Sequence, residues 1–477
     1  MTSFRKLFLL SLVTAFTLVS CGDPANPTPV LSDAANLNSV SFSTVDNPSM
    51  SVSAHSTPCL GYLAVTVPEG SNISALKATY YVSDGAEVLI KGQKQVSGQT
   101  INDFSNIVDL QVVSESGKVK KDYVLYVKSG NASVDARFYQ FMNKHSVPGV
   151  SFSVMRGEQV VYTTGYGYAV TESRTKTTPD HLFRLASISK QFTTLCIMVL
   201  YERGMLGIDD KVFGENGILK KEFKTKGMED MITVRHLLQH SAGWTREVLD
   251  PMFSSVRNGK TLDELLQWVL DNQNLKFTPG SNYEYSNVGF SFLGRIVEVV
   301  SGKPFETFLK EDVLKPMGVT DIHVGGGQDE RRPNECVYYS QDGTNGYGNP
   351  MQVIAACGGI IASTNQMMTV LAHIDGRDGV PDILKPETLD LMYNSEIDPN
   401  ADPSTNLRRY GLGWRRLAGY YPGAHWHGGN IAGTATIWVG NTNAGMSAAI
   451  LCNSRSYDKS IDGDMQTMIR DLMEVFQ

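Results

Sequence analysis

The sequence predicts two units in tandem. A small all-β sandwich spans residues 34–130, and a larger α/β domain spans 131–477, built as an antiparallel sheet flanked by helices with an inserted helical region. Three observations carry this reading. Short runs with period-two alternation fill the first unit. After Ser129-Gly130-Asn131 the elements lengthen, and helical periodicity mixes with strand periodicity. Strand-like runs then stand at both ends of the second unit around a helix-rich middle, so one sheet is expected to join the two chain ends. A chain of 477 residues with 42% hydrophobic content has enough apolar material for such cores. Its net charge of −7 gives no basic footprint for nucleic acid.

The first residues read as an address. Arg5 and Lys6 precede an apolar stretch, Leu7 to Val19, that is shorter than the ~20 residues a membrane span requires. Residues 1–20 are therefore expected to be a signal peptide. Leu18-Val19-Ser20-Cys21 resembles a bacterial lipobox, which implies acylation of Cys21 and a lipid anchor in a membrane of the cell envelope. Residues 21–33 follow as a tether kept extended by Pro24, Pro27 and Pro29. In the sandwich, "LAVTV", "ATYYV", "EVLI" and "DYVLYVK" read as strands, with a turn at Ser116-Gly117. The stretch from Gly98 to Lys128 resembles the immunoglobulin-like modules that follow such tethers in bacterial surface lipoproteins. It carries no carboxylate pair or histidine cluster, so a spacer is expected. Besides Cys21 there are five cysteines, too few and too scattered for a disulfide framework. Cys196, Cys357 and Cys452 read as buried hydrophobes, with a Cys336 to Cys357 bridge as an alternative.

In the second unit "DARFYQFMNKH" is helical, Val147-Pro148-Gly149 ends it, and "VSFSVMRGEQVVYTTGYG" reads as a hairpin turning at Arg156-Gly157. At the far end, "TATIWVG" and "MSAAILCN" read as strands. The last helix carries Met465, Met468, Ile469, Leu472 and Val475 at helical spacing. Between these ends lies "FRLASISKQFTTLC", where Phe192, Leu195, Cys196 and Val199 mark a helix that Gly204 stops. Ser187 falls in its first turn and Lys190 stands three residues on, a separation of about 5–6 Å between β-carbons. A lysine among apolar residues is costly unless something uses its charge. One use is chemical: a desolvated amine can take the proton of a serine alcohol, and the helix N-terminus favours the alkoxide that results; taken alone, the pair reads more often as a helix cap and a lysine whose stem is buried while its amine reaches water.

Two more motifs follow in order. "FTPGSNYEYSNVGFSFLGRIVEVVSGKPF" places Tyr285 and Asn287 on a loop at a helix start, and "HWHGGNIAGTATIWVG" sets His427-Gly428-Gly429 before a strand. With "ITVRHLLQHSAGW", "AACGGIIASTNQMM" and "YGLGW", these make residues 132–477 similar to the serine β-lactamase and penicillin-binding protein superfamily. The nearest likeness is to its class C β-lactamase, D-Ala-D-Ala carboxypeptidase and esterase branch. The resemblance implies a β-lactamase/transpeptidase-like fold with Ser187 as acylated nucleophile and Lys190 as its proton partner. It makes Tyr285 a second acid/base group and Asn287 a holder of the substrate amide. The backbone N–H groups of Ser187 and Asn430 would form an oxyanion hole, and His427 and Gly429 would line the cleft on a strand. No cofactor is implied. His236 and His240 have metal-ligand spacing but no acidic third ligand, and His425 with His427 could bind a metal from one side of a strand, yet the resemblance gives His427 another task, so no metal is expected.

The third motif departs from the family, which has a threonine or serine hydroxyl where this chain has Gly428. A substrate carboxylate loses that bond, and a histidine in place of lysine is mostly neutral at pH 7. Esters or amides without the carboxylate therefore gain weight. The expected function is an exported serine hydrolase acting through an acyl-enzyme on an ester or amide: a peptidoglycan-type peptide, a β-lactam or a small ester. The alternative is a penicillin-binding receptor or acyl-binding module without efficient turnover, which Tyr285 argues against. Expected partners are this small-molecule or cell-wall peptide substrate and the membrane, through the anchor.

Overall fold

The computed structural model describes residues 30–246, 249–395, 410–416, 423–457 and 460–477; the expected signal peptide, Cys21 and most of the tether lie outside them. The principal strands of the first unit are β1 (Leu37–Phe42), β2 (Ala54–Cys59), β3 (Tyr62–Pro68), β4 (Thr79–Val82), β5 (Glu87–Ile90), β6 (Val108–Val113) and β7 (Lys120–Gly130). They are hydrogen-bonded in the order β4-β1-β2-β3-β7-β6-β5. Strands β3 and β7 run parallel. The ribbon curls until β4 meets β5 and encloses one core, which includes Val40, Phe42, Val65, Leu110 and Val127. Phe42 and Phe104 pack edge to face in it, with centroids 5.1 Å apart.

Strand β3 is buried along nearly its whole length because its alternate side chains serve two cores. Leu63, Val65 and Val67 fill the sandwich. Tyr62 and Ala64 instead join Val134, Phe138 and Tyr139 of helix α1 (Ala132–His145), and β7 does the same with Tyr126. No linker separates the units: β7 ends at Gly130, and the Asn131 side chain caps α1 by accepting from the N–H groups of Ser133 and Val134. At the junction the fully buried Asp135 carboxylate accepts from the hydroxyls of Thr66 (2.8 Å), Tyr166 (2.7 Å) and Tyr162 (3.2 Å). The Lys128 amine stands 3.2 Å from it. Two of these four partners come from the sandwich, so the expected spacer is docked firmly onto the second unit.

That unit opens with a hairpin of β8 (Gly149–Arg156) and β9 (Gln159–Val170), turning through Gly157 at φ 59°. Helices α2 (Ser189–Glu202) and α3 (Asn287–Ser301) belong to the middle; β10 (His425–Ile431), β11 (Thr434–Gly440), β12 (Met446–Cys452) and α4 (Ser460–Phe476) close the chain. One antiparallel sheet runs β9-β8-β12-β11-β10, extended by the short strands Thr175–Lys176 at one edge and Arg415–Arg416 at the other. The two chain ends thus meet where β8 pairs with β12, as the strand-like runs predict. Side chains alternate cleanly. Ile437, Val439, Ala448 and Ile450 face α1 and α4, while Trp438, Ala449 and Leu451 face the helices of the middle region. Trp438 stacks between Phe192 of α2 (5.7 Å) and Trp414 (5.2 Å), which fixes α2 against the sheet; Ser187, expected in the first turn of that helix, lies in the 3-10 turn Ala186–Ile188 just before it.

The third motif lies on a strand, β10, as the resemblance implies, and a second strand, β11, follows it. Some expectations are corrected. Val475 is 45% exposed, and Met473 takes its place on the apolar face of α4. Cys59, Cys196, Cys336, Cys357 and Cys452 are all buried free thiols, so Cys336 and Cys357 are not bridged.

Candidate active site

The segment before Ser187 is held on both sides. Phe183 and Arg184 pair with Ile361 and Ala362, and the Leu185 N–H donates to Ile360 O. Ala186 then takes a left-handed conformation (φ 49°), a strained one for a residue with a β-carbon, and starts the tight turn Ala186–Ile188 that runs into α2. At the first residue of α2 the Ser189 hydroxyl accepts from Ile360 N–H at 2.9 Å, so the turn carrying Ser187 cannot drift.

Lys190 is fully buried, and its amine donates to the Asn287 side-chain oxygen (2.8 Å), Cys357 O (2.6 Å) and Ser187 Oγ (3.3 Å). The spacing of three residues therefore does bring the pair together. Asn287 is the first residue of α3, with Ser286 capping the helix by accepting from Gly289 N–H. Its amide nitrogen donates to Asp250 Oδ2 at 2.6 Å. Sequence reasoning missed Asp250, whose sole signal was an Asp-Pro pair marking a turn.

The Tyr285 ring lies beside Lys190, whose amine is 4.9 Å from its centroid. The guanidinium of Arg246 lies 4.7 Å from that centroid and that of Arg415 5.6 Å. His240 packs against the same ring with centroids 4.2 Å apart, and its Nδ1 accepts from Ser286 N–H at 3.0 Å. Burial, and after it the Lys190 charge, hold the His240 imidazole well below the ordinary 6.5, so it is neutral. His236 is engaged elsewhere, its Nδ1 accepting from Thr233 N–H at 3.2 Å in the cap of the short helix Val234–Leu238. His427 is also buried and neutral, its basicity lowered by burial and then by Arg415 and Lys190. Its Nδ1 donates to Gly428 O (2.6 Å), leaving Nε2 to accept from the Tyr410 hydroxyl (3.0 Å). It supports the wall and offers no charge to a substrate. Trp244 and Trp414 are core residues.

Strand β10 pairs with β11 along its length, and at His425 and Trp426 with Arg415–Arg416. Beyond Trp426 its other edge faces the turn of Ser187, with no further strand among the described residues. Gly429 permits the approach: a β-carbon there would lie 2.2 Å from Leu185 O. Ser187, Asn287 and Asn430 all line one cleft of about 570 Å³. The Beta-lactamase family model matches residues 134–467, well over half of the chain.

The chain belongs to the beta-lactamase family.

A second model, SGBP, N-terminal, matches residues 61–127. Among curated relatives, Protein flp of Staphylococcus aureus (strain COL) is 26% identical over 187 residues, 39% of this chain and 37% of flp. Penicillin-binding protein 4* of Bacillus subtilis (strain 168) is 33% identical over 185 residues, 38% of this chain and 39% of that protein. The matched stretches thus span about two-fifths of those relatives. Among solved structures, the octameric penicillin-binding protein homologue from Pyrococcus abyssi has a TM-score of 0.61 at 24% identity, covering 72% of this chain and 77% of that one. The D-amino acid amidase from Ochrobactrum anthropi SV3 has a TM-score of 0.57 at 22% identity, covering 72% and 100%. At these identities the likeness is one of fold.

In this member of the beta-lactamase family, three acceptors surround the Lys190 amine, and of these the Ser187 hydroxyl alone carries a proton that can be passed on. The 3.3 Å separation is the loose geometry common before substrate arrives.

Proposed function

We propose that this protein is an exported serine hydrolase, held in the cell envelope by a lipid on Cys21, that cleaves an ester or amide through an acyl-enzyme on Ser187. The observation that carries the reading is the fully buried Lys190 amine, whose three neighbours leave Ser187 as the group that can give it a proton. Ser187 Oγ attacks the acyl carbon and its proton passes to Lys190. The leaving alcohol or amine departs with a proton supplied through Tyr285. Water then cleaves the acyl ester, releasing the acid and restoring Ser187. The N–H groups of Ser187 and Asn430 hold the developing oxyanion.

A second reading of the substrate comes from the rim of the cleft. Arg246, Arg257 and Arg455 line it against one carboxylate, Asp250, whose oxygens already accept from Met252 N–H and Asn287. An acidic group on the substrate is then held by the arginines in place of the hydroxyl missing at Gly428. A panel pairing neutral p-nitrophenyl esters with acid-bearing ones, a chromogenic cephalosporin and muropeptides tests both readings. Arg455→Ala should lower the acidic-to-neutral ratio of kcat/KM by about tenfold or more, the value of a hydrogen bond to a charged group. Gly428→Thr should raise it, since a β-carbon there meets nothing closer than 3.4 Å. An unchanged ratio in both variants assigns the preference elsewhere. For the anchor, Cys21→Ser should move the protein out of the membrane fraction with its specific activity intact; retention in the membrane argues against lipidation.

A further inference from the structure

Asp250 lies 37 residues before Asn287, on a turn with no role in the reading above. Its two carboxylate oxygens have separate tasks. Oδ1 accepts from Met252 N–H at 3.1 Å, capping the turn Pro251–Phe253, and Oδ2 accepts from the Asn287 amide nitrogen at 2.6 Å. On the far side of that amide stands Lys190, 2.8 Å from the oxygen. A lysine amine has N–H groups for a neighbouring oxygen, and an ionised carboxylate can only accept, so chemistry alone sets which end of the Asn287 amide faces which partner. Asn287 is 6% exposed, so water is a poor substitute for either.

We propose that Asp250 is a positioning residue for acylation: it holds the Asn287 amide with its oxygen toward Lys190, and so keeps the free face of the amine on Ser187. The inference rests on the hydrolase reading of Ser187. With the amide reversed, Asn287 would present N–H groups to Lys190. The amine would lose one of the two acceptors that orient it, and its lone pair would have no fixed direction. Asp250 touches neither the nucleophile nor the lysine. Its effect passes through Asn287 alone, which makes the arrangement testable by exchanging the two side chains.

The probe is a fluorophosphonate, which forms a bond from Ser187 Oγ to phosphorus with loss of fluoride; the second-order labelling constant is measured across pH on the full chain. Asn287→Asp sets two carboxylates side by side, where they must share a proton, and labelling should fall by about tenfold or more at alkaline pH and recover in part as pH is lowered. Adding Asp250→Asn restores every bond: the new amide donates to residue 287 and accepts from Met252 N–H, while the new carboxylate accepts from Lys190. The exchanged pair should label at least about fivefold faster than Asn287→Asp alone, a rescue that a purely structural role would not give. If Asn287→Asp fails to fold, Asp250→Ala decides instead, with labelling expected to drop at least about fivefold at an unchanged melting temperature. A wild type that takes no label removes the hydrolase reading and this inference with it. A wild type that labels normally overturns the inference alone if the exchanged pair is no faster than Asn287→Asp, or if Asp250→Ala equals wild type.

Discussion

Ser187→Ala should abolish covalent labelling and lower kcat by about 10³-fold or more, the largest effect expected of any single change in this chain. Removing the oxygen leaves Lys190 with two acceptors and nothing to deprotonate, while the packing that surrounds it stays in place. Folding should hardly change, since alanine keeps the turn Ala186–Ile188 and deletes one atom. Intact mass after incubation with a fluorescent penicillin or phosphonate should show one adduct per wild-type chain and none on the variant. An equally labelled Ser187→Ala protein would falsify the assignment of the nucleophile. The receptor alternative is separated by Tyr285→Phe. A hydrolase so altered accumulates the acyl-enzyme, whereas a receptor without turnover behaves as before.

Gly429→Ala is expected to have the next largest effect, although it adds one methyl group and removes no proton-transfer group. The new β-carbon would lie 2.2 Å from Leu185 O, 2.5 Å from the Thr436 hydroxyl and 3.0 Å from the Ala186 β-carbon. Two of those atoms belong to the segment that presents Ser187, so relief must come from parting β10 and the nucleophile turn. That motion withdraws Asn430 N–H from the oxyanion. Loss of one such donor costs about 10²–10³ in kcat. Gly428→Ala is the control, because a β-carbon there meets only Thr436 O at 3.4 Å and a Trp426 ring carbon at 3.9 Å. The expected pattern is a severe loss at 429 beside near-normal activity at 428. Similar activities for the two folded variants would remove the close approach from the account of catalysis.

These two positions also mark what could be read in the sequence. Ser187 and Lys190 stand three residues apart across a 3-10 turn that runs straight into α2, so local helical spacing alone predicts their contact. Tyr285 and Asn287 lie at a helix start marked by a Pro-Gly turn and an apolar stripe. The parts played by Asp250, His240, Tyr410 and Arg415 could not be read, because each acts through a tertiary contact between separate segments. The same limit affected the sandwich. "LAVTV" alternates as a strand with one wet face would, yet Thr66 is buried because it meets Asp135, which lies 69 residues on. Val475 was misplaced for a different reason: one helical turn from the chain end, spacing cannot tell an apolar stripe from its fraying edge.

The docking of the sandwich decides where this protein can be divided. A cut at Asn131 looks natural in the sequence, since the strand periodicity ends there. In the fold it would strip Thr66 and Lys128 from Asp135 and leave a fully buried carboxylate with half of its partners. The same cut would bare the side of α1 where Tyr139 and Val134 pack against Tyr62, Ala64 and Tyr126, an apolar face prone to self-association. The hydrolase unit therefore travels with its sandwich. Should the lipid proposed on Cys21 hold the protein at a membrane, the cleft and the sandwich would move above it as one body.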